Sequence, residues 1–364
     1  MDGIGRYLQE LLRRMIAKSN TLGPRVTWYL YVRDPDDAAT YASGQVKVRH
    51  DWLPTHLGRI LSPVCSTPFF LVKDRPQVVW GPAHRLPLWV PTGTRTVVTI
   101  HDLAWLRVPK TMHPVGRWLD RNLMPFAVKR ADRILAVSKS TAEDLQSHWP
   151  GISEKLRTIP LGVSQLPKPQ ALEALRLPVQ SRRFFLFVGT LEPRKNLLRL
   201  LEAHARGLAS RTDWPPLVIV GGAGWGLAPI EELLDRFGCR HGVCVLGRVS
   251  DQELSTLYAN ALALLMPSLY EGFGLPLAEA SRAGTPVVAS NVASMPEVVG
   301  DGGLLVDPLS VTSIFGAMEA VSSDEKLREL LCQRALEQSQ RFSWDVTADQ
   351  TLDALIGAAT AQNR

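Results

Sequence analysis

Short β-rich runs separated by amphipathic stretches recur along this chain, and that alternation leaves few folds open. In the first half the strand-like runs are "RVTWYLYV", "VKV", "QVVWG", "TVVTI", "RILAVS" and "LRTIP". In the second half they are "FFLFVG", "PLVIVGG", "VCVLG", "LALLMPS", "PVVAS" and "GLLVD". Helical spacing of apolar residues appears near 4–18, 113–130 and 140–148, then near 196–208, 228–237, 251–260, 275–283 and 310–321. A strand that returns to a parallel neighbour through a helix needs this order, so the pattern predicts α/β architecture with parallel sheets covered on both faces. The Pro-rich run "LGVSQLPKPQALEALRLPVQSRR", 161–183, reads as a linker. Two domains are therefore expected, 1–165 and 166–342, facing each other across a cleft. The tail, 343–364, is expected to be helical and to pack back towards the first domain. At 364 residues and 45% hydrophobic, the chain has material for two cores. Ligands of such folds bind at the carboxyl ends of the strands.

No apolar run approaches the roughly 18–20 residues that a membrane-spanning helix requires. The start, "MDGIGRYLQELLRRM", lacks the basic region and unbroken apolar core of a signal peptide. Cys65, Cys239, Cys244 and Cys332 are too few and too scattered for a disulfide framework. Cys239, His241 and Cys244 have the wrong spacing for a metal site and lack a fourth ligand, so free thiols in a cytoplasmic protein are expected. The net charge of +6 is uneven: residues 1–165 carry 23 Lys/Arg against 13 Asp/Glu, and residues 166–364 carry 18 against 22. A basic first half points to an anionic partner. No nucleic-acid-binding signature is present, so a membrane surface or an anionic acceptor is the expected partner. Within that half, "HPVGRWLDRNLMPFAVKRADR", 113–133, sets Arg117, Arg121, Lys129 and Arg130 around Trp118, Leu119, Leu123, Met124 and Phe126. The plain reading is a helix whose apolar stripe covers the sheet. The charge favours peripheral contact with an anionic membrane.

"YEGFGLPLAEA", 270–280, places Glu271 in a strand-to-helix turn and Glu279 about one turn inside the helix, on the face of Leu275. Gly272 and Gly274 let the backbone of that turn approach a ligand closely, with amides pointing out of the helix start. A polyhydroxylated ligand with an anionic centre suits this arrangement, and replacing Glu271 is expected to spare the fold. "FVGTLEPRKN", 187–196, sets Arg194 and Lys195 at a helix start, where the macrodipole disfavours cations by a few tenths to about 1 kcal/mol each. An anion nearby is expected, and a diphosphate suits a guanidinium with an ammonium. "TVVTIHDLAW", 96–105, puts His101 and Asp102 just after a strand, where His101 is suited to a ligand hydroxyl or to proton transfer. "IVGGAGWG", 219–226, does not fit the dinucleotide fingerprint, since its glycines are spaced G-x-G-x-G. "DPDD", 34–37, contains the D-x-D of metal-dependent sugar transfer, but acidic clusters are common in polar loops.

With these motifs in order, the chain resembles the retaining glycosyltransferases of family 4, which have the GT-B fold of two Rossmann-like domains. The matching runs are "GIGRY" at 3–7, "TIHDL" at 99–103, "ADRILAVSKST" at 131–141 and "FVGTLEPRKN". They continue through "LGRVSDQELSTLYANA" at 246–261, "MPSLYEGFGLPLAEASRAGTPVVASN" at 266–291 and "MPEVVGDGGLLVDP" at 295–308. The resemblance implies that Glu271 holds the sugar hydroxyls of a nucleotide-sugar donor, with the backbone of Gly272, Phe273, Gly274 and Leu275 close by. Glu279 would bind the ribose diol, and Arg194 and Lys195 the diphosphate, beside Gly189. The turn carrying Arg248 and Val249 would meet the base, and His101 would reach the transferred sugar. Family members begin with a strand ahead of the glycine turn. Here "GIGRY" begins at residue 3, so that first strand is expected to be missing; Gly3, Gly5 and Asp102 are the candidates for a phosphate or acceptor loop. The implied reaction is metal-independent hexose transfer with retention, needing no cofactor. The wording of "TIHDL" and "ADRILAVS" is similar to that of bacterial mannosyltransferases of polysaccharide assembly, which favours GDP-mannose as donor and a glycan or lipid-linked glycan as acceptor. The alternatives are a UDP-sugar-dependent transferase of the same fold and a catalytically silent nucleotide-sugar-binding protein, which would hydrolyse no donor.

Overall fold

The computed structural model describes residues 3–21, 26–32, 41, 45–51 and 66–361. The "DPDD" run at 34–37 and Cys65 lie outside the described residues. The chain divides into two compact units, one comprising Met1–His101, Leu119–Gly162 and Trp344–Arg364, the other Asp102–Trp118 and Val163–Ser343.

Helix α1 (Gly3–Ser19) opens the first unit, and Tyr7, Leu11 and Met15, four residues apart, bury one face of it. Strands β1 (Trp28–Val32) and β2 (Val46–His50) form a parallel pair. After helix α2 (Ser66–Asp74), a second parallel sheet takes β3 (Val78–Gly81), β4 (Arg95–Ile100), β5 (Arg133–Ala136) and β6 (Leu156–Thr158) in chain order. Along the chain between these strands lie α3 (Ala104–Arg107), which belongs to the second unit, α4 (Pro114–Arg130), which joins the first from Leu119 on, and α5 (Lys139–His148). Polar pins fix their ends. Asp132 accepts from the Thr96 amide at 2.8 Å and pairs with Arg95 at 2.9 Å, tying β4 to the start of β5. Lys155 donates to the carbonyls of Val128, Lys129 and Ala131, which supplies partners that the end of α4 leaves open and adds to the charge of Lys129 and Arg130 there. Ser138 caps α5 by accepting from the Thr141 amide at 3.0 Å.

The second unit holds one six-stranded parallel sheet. Its strands are β7 (Phe185–Val188), β8 (Leu217–Val220), β9 (Val243–Gly247), β10 (Ala263–Met266), β11 (Val287–Ser290) and β12 (Gly303–Val306). The order across the sheet is β12-β11-β10-β7-β8-β9, so the winding reverses between β7 and β10. Helices α6 (Leu197–Ser210), α7 (Ile230–Arg236), α8 (Asp251–Asn260), α9 (Leu275–Arg282), α10 (Met295–Val299), α11 (Val311–Ser323) and α12 (Glu325–Ser339) cover both faces. Every residue of β8, β10 and β11 is buried, as strands covered on two sides require. Phe185, Phe187, Leu217, Ile219, Leu265 and Val288 share one core, edged by Trp214 stacked on Phe315 at 5.6 Å. The last helix, α13 (Trp344–Thr360), belongs to the first unit and packs on α1 and β4, with Asp345 paired to Arg14 at 2.8 Å.

Strands and helices named from the sequence recur with small shifts at their ends, and both sheets are parallel. Helices α2, α3 (a single turn of four residues), α10 and α12 were not anticipated. The first, "STPFFLVKD", has a strand-like apolar run, and α10 is only five residues long with Pro296 in its first turn. On α12 only Leu331, Ala335 and Ser339 are buried, a stripe too narrow to stand out among its charges. Gly3 and Gly5 also differ from expectation: they form the first turn of α1 rather than a loop, because the stripe of Tyr7, Leu11 and Met15 extends the helix to the start.

Candidate active site

The winding reversal between β7 and β10 places the turns leaving these two strands side by side, which is where open α/β sheets bind ligands. Gly189 ends β7, and the chain then forms a tight 3-10 turn over Pro193–Lys195 before α6. Asn196 closes that turn in the left-handed conformation, with φ of 60°, which Asn tolerates better than most residues. Its side-chain amide donates to the carbonyls of Pro267 and Pro308, at 2.8 and 2.7 Å, anchoring the turn to the end of β10. The Leu269 amide donates to the Arg194 carbonyl at 2.8 Å. Two segments more than 70 residues apart are thereby fixed against each other.

The anion expected near the two cations is Glu271 itself. Lys195 Nζ donates to Glu271 Oε1 at 2.7 Å, and Arg194 Nη1 to Glu271 Oε2 at 2.7 Å. Arg194 also donates to the Tyr270 carbonyl at 3.0 Å and, through Nη2, to Glu192 Oε1 at 2.7 Å. Glu271 and Lys195 are only 6% and 9% exposed, so neither charge would be tolerated without the other. Burial pushes the Glu271 carboxyl up, but Arg194 and Lys195 outweigh it and bring the value down to about 2. Burial likewise acts against the Arg194 charge, and Glu271, Asp102 and Glu192 overcome it, so the guanidinium stays charged. The sequence expectation that Glu271 serves a ligand and not the fold therefore needs correcting: this carboxylate neutralises two buried cations.

Gly274 stands at the start of α9 with φ of 95°, a conformation a side chain would strain, and Gly272 and Phe273 complete the turn. Phe273 is buried edge-on to Phe342 at 5.3 Å. The Ser294 hydroxyl is shared between the carbonyls of Glu271 and Phe273, at 2.8 and 3.0 Å, and holds the turn from below. Leu275 begins α9, and Glu279 follows one turn later, 6% exposed, accepting from the Tyr258 hydroxyl at 3.0 Å. Arg248 and Val249 lie between β9 and α8, and Arg248 crosses the glycine turn after β8, where a Cβ on Gly222 would sit 3.0 Å from its Nε.

Asp102 accepts from the Ala104 amide at 3.0 Å and so starts α3, while its charge acts on Arg194. The Leu103 amide donates to the Tyr270 hydroxyl at 3.1 Å. His101 belongs to the first unit. Its Nε2 donates to the Pro82 carbonyl at 2.8 Å, since a carbonyl only accepts, and its ring packs edge-on against Tyr7 at 4.8 Å and His84 at 5.3 Å. Sequence reasoning passed over Glu192, Asn196, Tyr258, Tyr270 and Ser294. All five stand inside or beside runs already singled out, but their role depends on partners distant in the chain. Among the described residues no group of three or more His, Cys, Asp or Glu side chains is placed to hold a metal ion. Cys239 is buried, with its Sγ 3.8 Å from the Leu234 carbonyl.

Comparison with known proteins adds to this geometry. Residues 1–165 match the family described as Glycosyltransferase Family 4, and residues 175–338 that described as Glycosyl transferases group 1. The O-antigen chain mannosyltransferase B of Escherichia coli is 31% identical over 386 aligned positions, covering 97% of this chain and 96% of that one. The serotype-specific mannosyltransferase WbdA of Escherichia coli is 32% identical over 277 positions, covering 71% of this chain and 33% of that longer one. Among solved structures, WaaG, a glycosyltransferase involved in lipopolysaccharide biosynthesis, superposes with a TM-score of 0.75 at 19% identity, over 98% of this chain and 97% of that one. That likeness establishes the GT-B fold.

Proposed function

The chain belongs to glycosyltransferase family 4, and from that premise we propose that it transfers mannose from GDP-mannose to a glycan or lipid-linked glycan, with retention of configuration. The observation that carries this reading is Glu271 held between Lys195 and Arg194 at the sheet's winding reversal, in the turn that leads into the helix of Glu279. Mannosyltransferase relatives over most of the chain support the sugar.

In the proposed reaction Glu271 accepts from sugar hydroxyls and Glu279 from the ribose diol. An ammonium has three N–H donors. Lys195 gives one to Glu271, and we assign the others to the diphosphate. Arg194, shared between Glu192 and Glu271, fixes the orientation of Glu271 and adds charge beside the phosphates. As the bond from the sugar anomeric carbon to the diphosphate breaks, negative charge grows on the leaving oxygen. Lys195, Arg194 and the amino end of α9 stabilise it, the role a divalent ion has elsewhere. The acceptor oxygen bonds the anomeric carbon on the face the phosphate leaves, and the acceptor's proton passes to the departing phosphate oxygen. No side-chain base is required. Arg248 and Val249 are proposed to meet the base.

The acceptor reading extends to a peripheral site on the inner face of the cell membrane. No described helix is long and apolar enough to cross a bilayer. Helix α4 instead exposes Val115 and Trp118 at its start and Arg121 and Lys129 farther along.

A panel of GDP- and UDP-hexoses, tested in chelator by thermal shift and by release of nucleoside diphosphate, checks the donor. GDP-mannose is expected to raise the melting temperature most and to be turned over. Preference for a UDP-sugar would replace the mannose assignment, and binding without turnover would favour the silent binding protein.

A further inference from the structure

We infer that Tyr258 enables the protein to distinguish a ribonucleotide donor from its deoxyribose counterpart, because its hydroxyl sets the orientation of the Glu279 carboxylate. The inference rests on the reading of Glu279 as the ribose ligand and extends it to a residue outside the binding surface.

Tyr258 is fully buried in the last turns of α8. A buried phenol needs a partner for its O–H, and a carboxylate can only accept, so the proton of this 3.0 Å bond lies on the tyrosine. The ring cannot readily move away. Thr285, just beyond α9, donates its hydroxyl to the Tyr258 carbonyl, and the Ala261 amide donates to the same oxygen at 3.3 Å. The main chain that carries the phenol is thus tied to the segment that follows α9, and full burial confines the ring.

Glu279 has the complementary need. It is 6% exposed, and the last torsion of a glutamate side chain is broad and nearly two-fold. The plane of the carboxylate is therefore set by the hydrogen bonds that its oxygens make. A bond from Tyr258 to Oε2 selects one plane. A ribose presents two adjacent hydroxyls, and a carboxylate in a fixed plane meets both. A 2′-deoxyribose offers only one, which leaves a buried carboxylate lacking part of its hydrogen bonding. Sites built around a substrate hydroxyl reject analogues lacking it for this reason.

The test is calorimetric. GDP, 2′-deoxy-GDP, UDP and 2′-deoxy-UDP are titrated into wild type, Tyr258→Phe and Glu279→Gln. Wild type is expected to prefer the ribose form of whichever diphosphate it binds by about tenfold or more. In Tyr258→Phe that preference should shrink about fivefold, with the ribose form weakened and the deoxy form unchanged. General loosening of the site would weaken both forms together and leave the ratio intact, and that result would overturn the inference. If Glu279→Gln abolishes the preference while Tyr258→Phe retains it, Tyr258 alone loses its role. If both variants retain it, or no diphosphate binds, the donor reading of Glu279 fails as well.

Discussion

Glu271 has two functions in this account, and the functions separate by condition. Near neutral pH, Glu271→Gln removes the anion between two buried cations, which for buried pairs costs about 3–5 kcal/mol. Transfer should fall by about tenfold or more, since a charge-assisted bond to sugar is lost as well. The pH dependence gives the sign. The carboxyl titrates near 4.5 in its ordinary state and is brought down to about 2 in the folded chain, where Arg194 and Lys195 overcome the upward push of burial. Its stabilisation is therefore complete above the ordinary value and lost as pH falls towards the folded one. Denaturant unfolding across that window should show wild type losing stability more steeply than Glu271→Gln. Parallel slopes would mean that the ion pairs contribute nothing to folding. The sequence made Glu271, Arg194 and Lys195 legible as residues, through a turn rich in glycine and cations at a helix start. It did not reveal that they neutralise one another, because a local pattern carries no information on contacts made 76 residues apart.

Elements were more legible than contacts. The β8 and β10 runs are apolar throughout, and β11 is apolar but for Ser290, as buried strands are, and "LPLAEASRAG" announces α9 with a proline at its start and a glycine after its end. Helix α4 shows where periodicity stops being informative. Leu119, Leu123 and Phe126, grouped by spacing with the cations around them, are half-buried, and Met124, Ala127 and Val128 form the buried stripe. Arg130 turns back to the Leu88 carbonyl at 2.6 Å and lies over the Phe126 ring. What remains outward is Trp118, 64% exposed, with Val115, Arg121 and Lys129. If this face meets anionic lipid, each cation near the surface adds about 1 kcal/mol. Flotation with anionic vesicles at low salt should recover wild type, while R117A/R121A/K129A/R130A stays behind and neutral vesicles recover neither. Binding should weaken as added salt shortens the screening length. Equal recovery on both lipids, or none on either, would contradict a membrane role for α4.

At the scale of the whole molecule, the strand-helix repetition indicated parallel sheets, and the family resemblance implied the GT-B fold. The order of the six strands in the second unit is not written in any one of them. It is set by the return from β9 to β10 beside β7, and it is what brings the turns after β7 and β10 together at the reversal. The central claim is that this site moves a hexose without a metal and keeps its configuration. The measurement closest to that claim is NMR of the product formed from GDP-α-mannose and a mannose-terminated oligosaccharide in EDTA. The account predicts a new α-linked mannose with GDP released in equal amount. A β-linked product, or transfer that stops in EDTA and returns with manganese or magnesium, would contradict it.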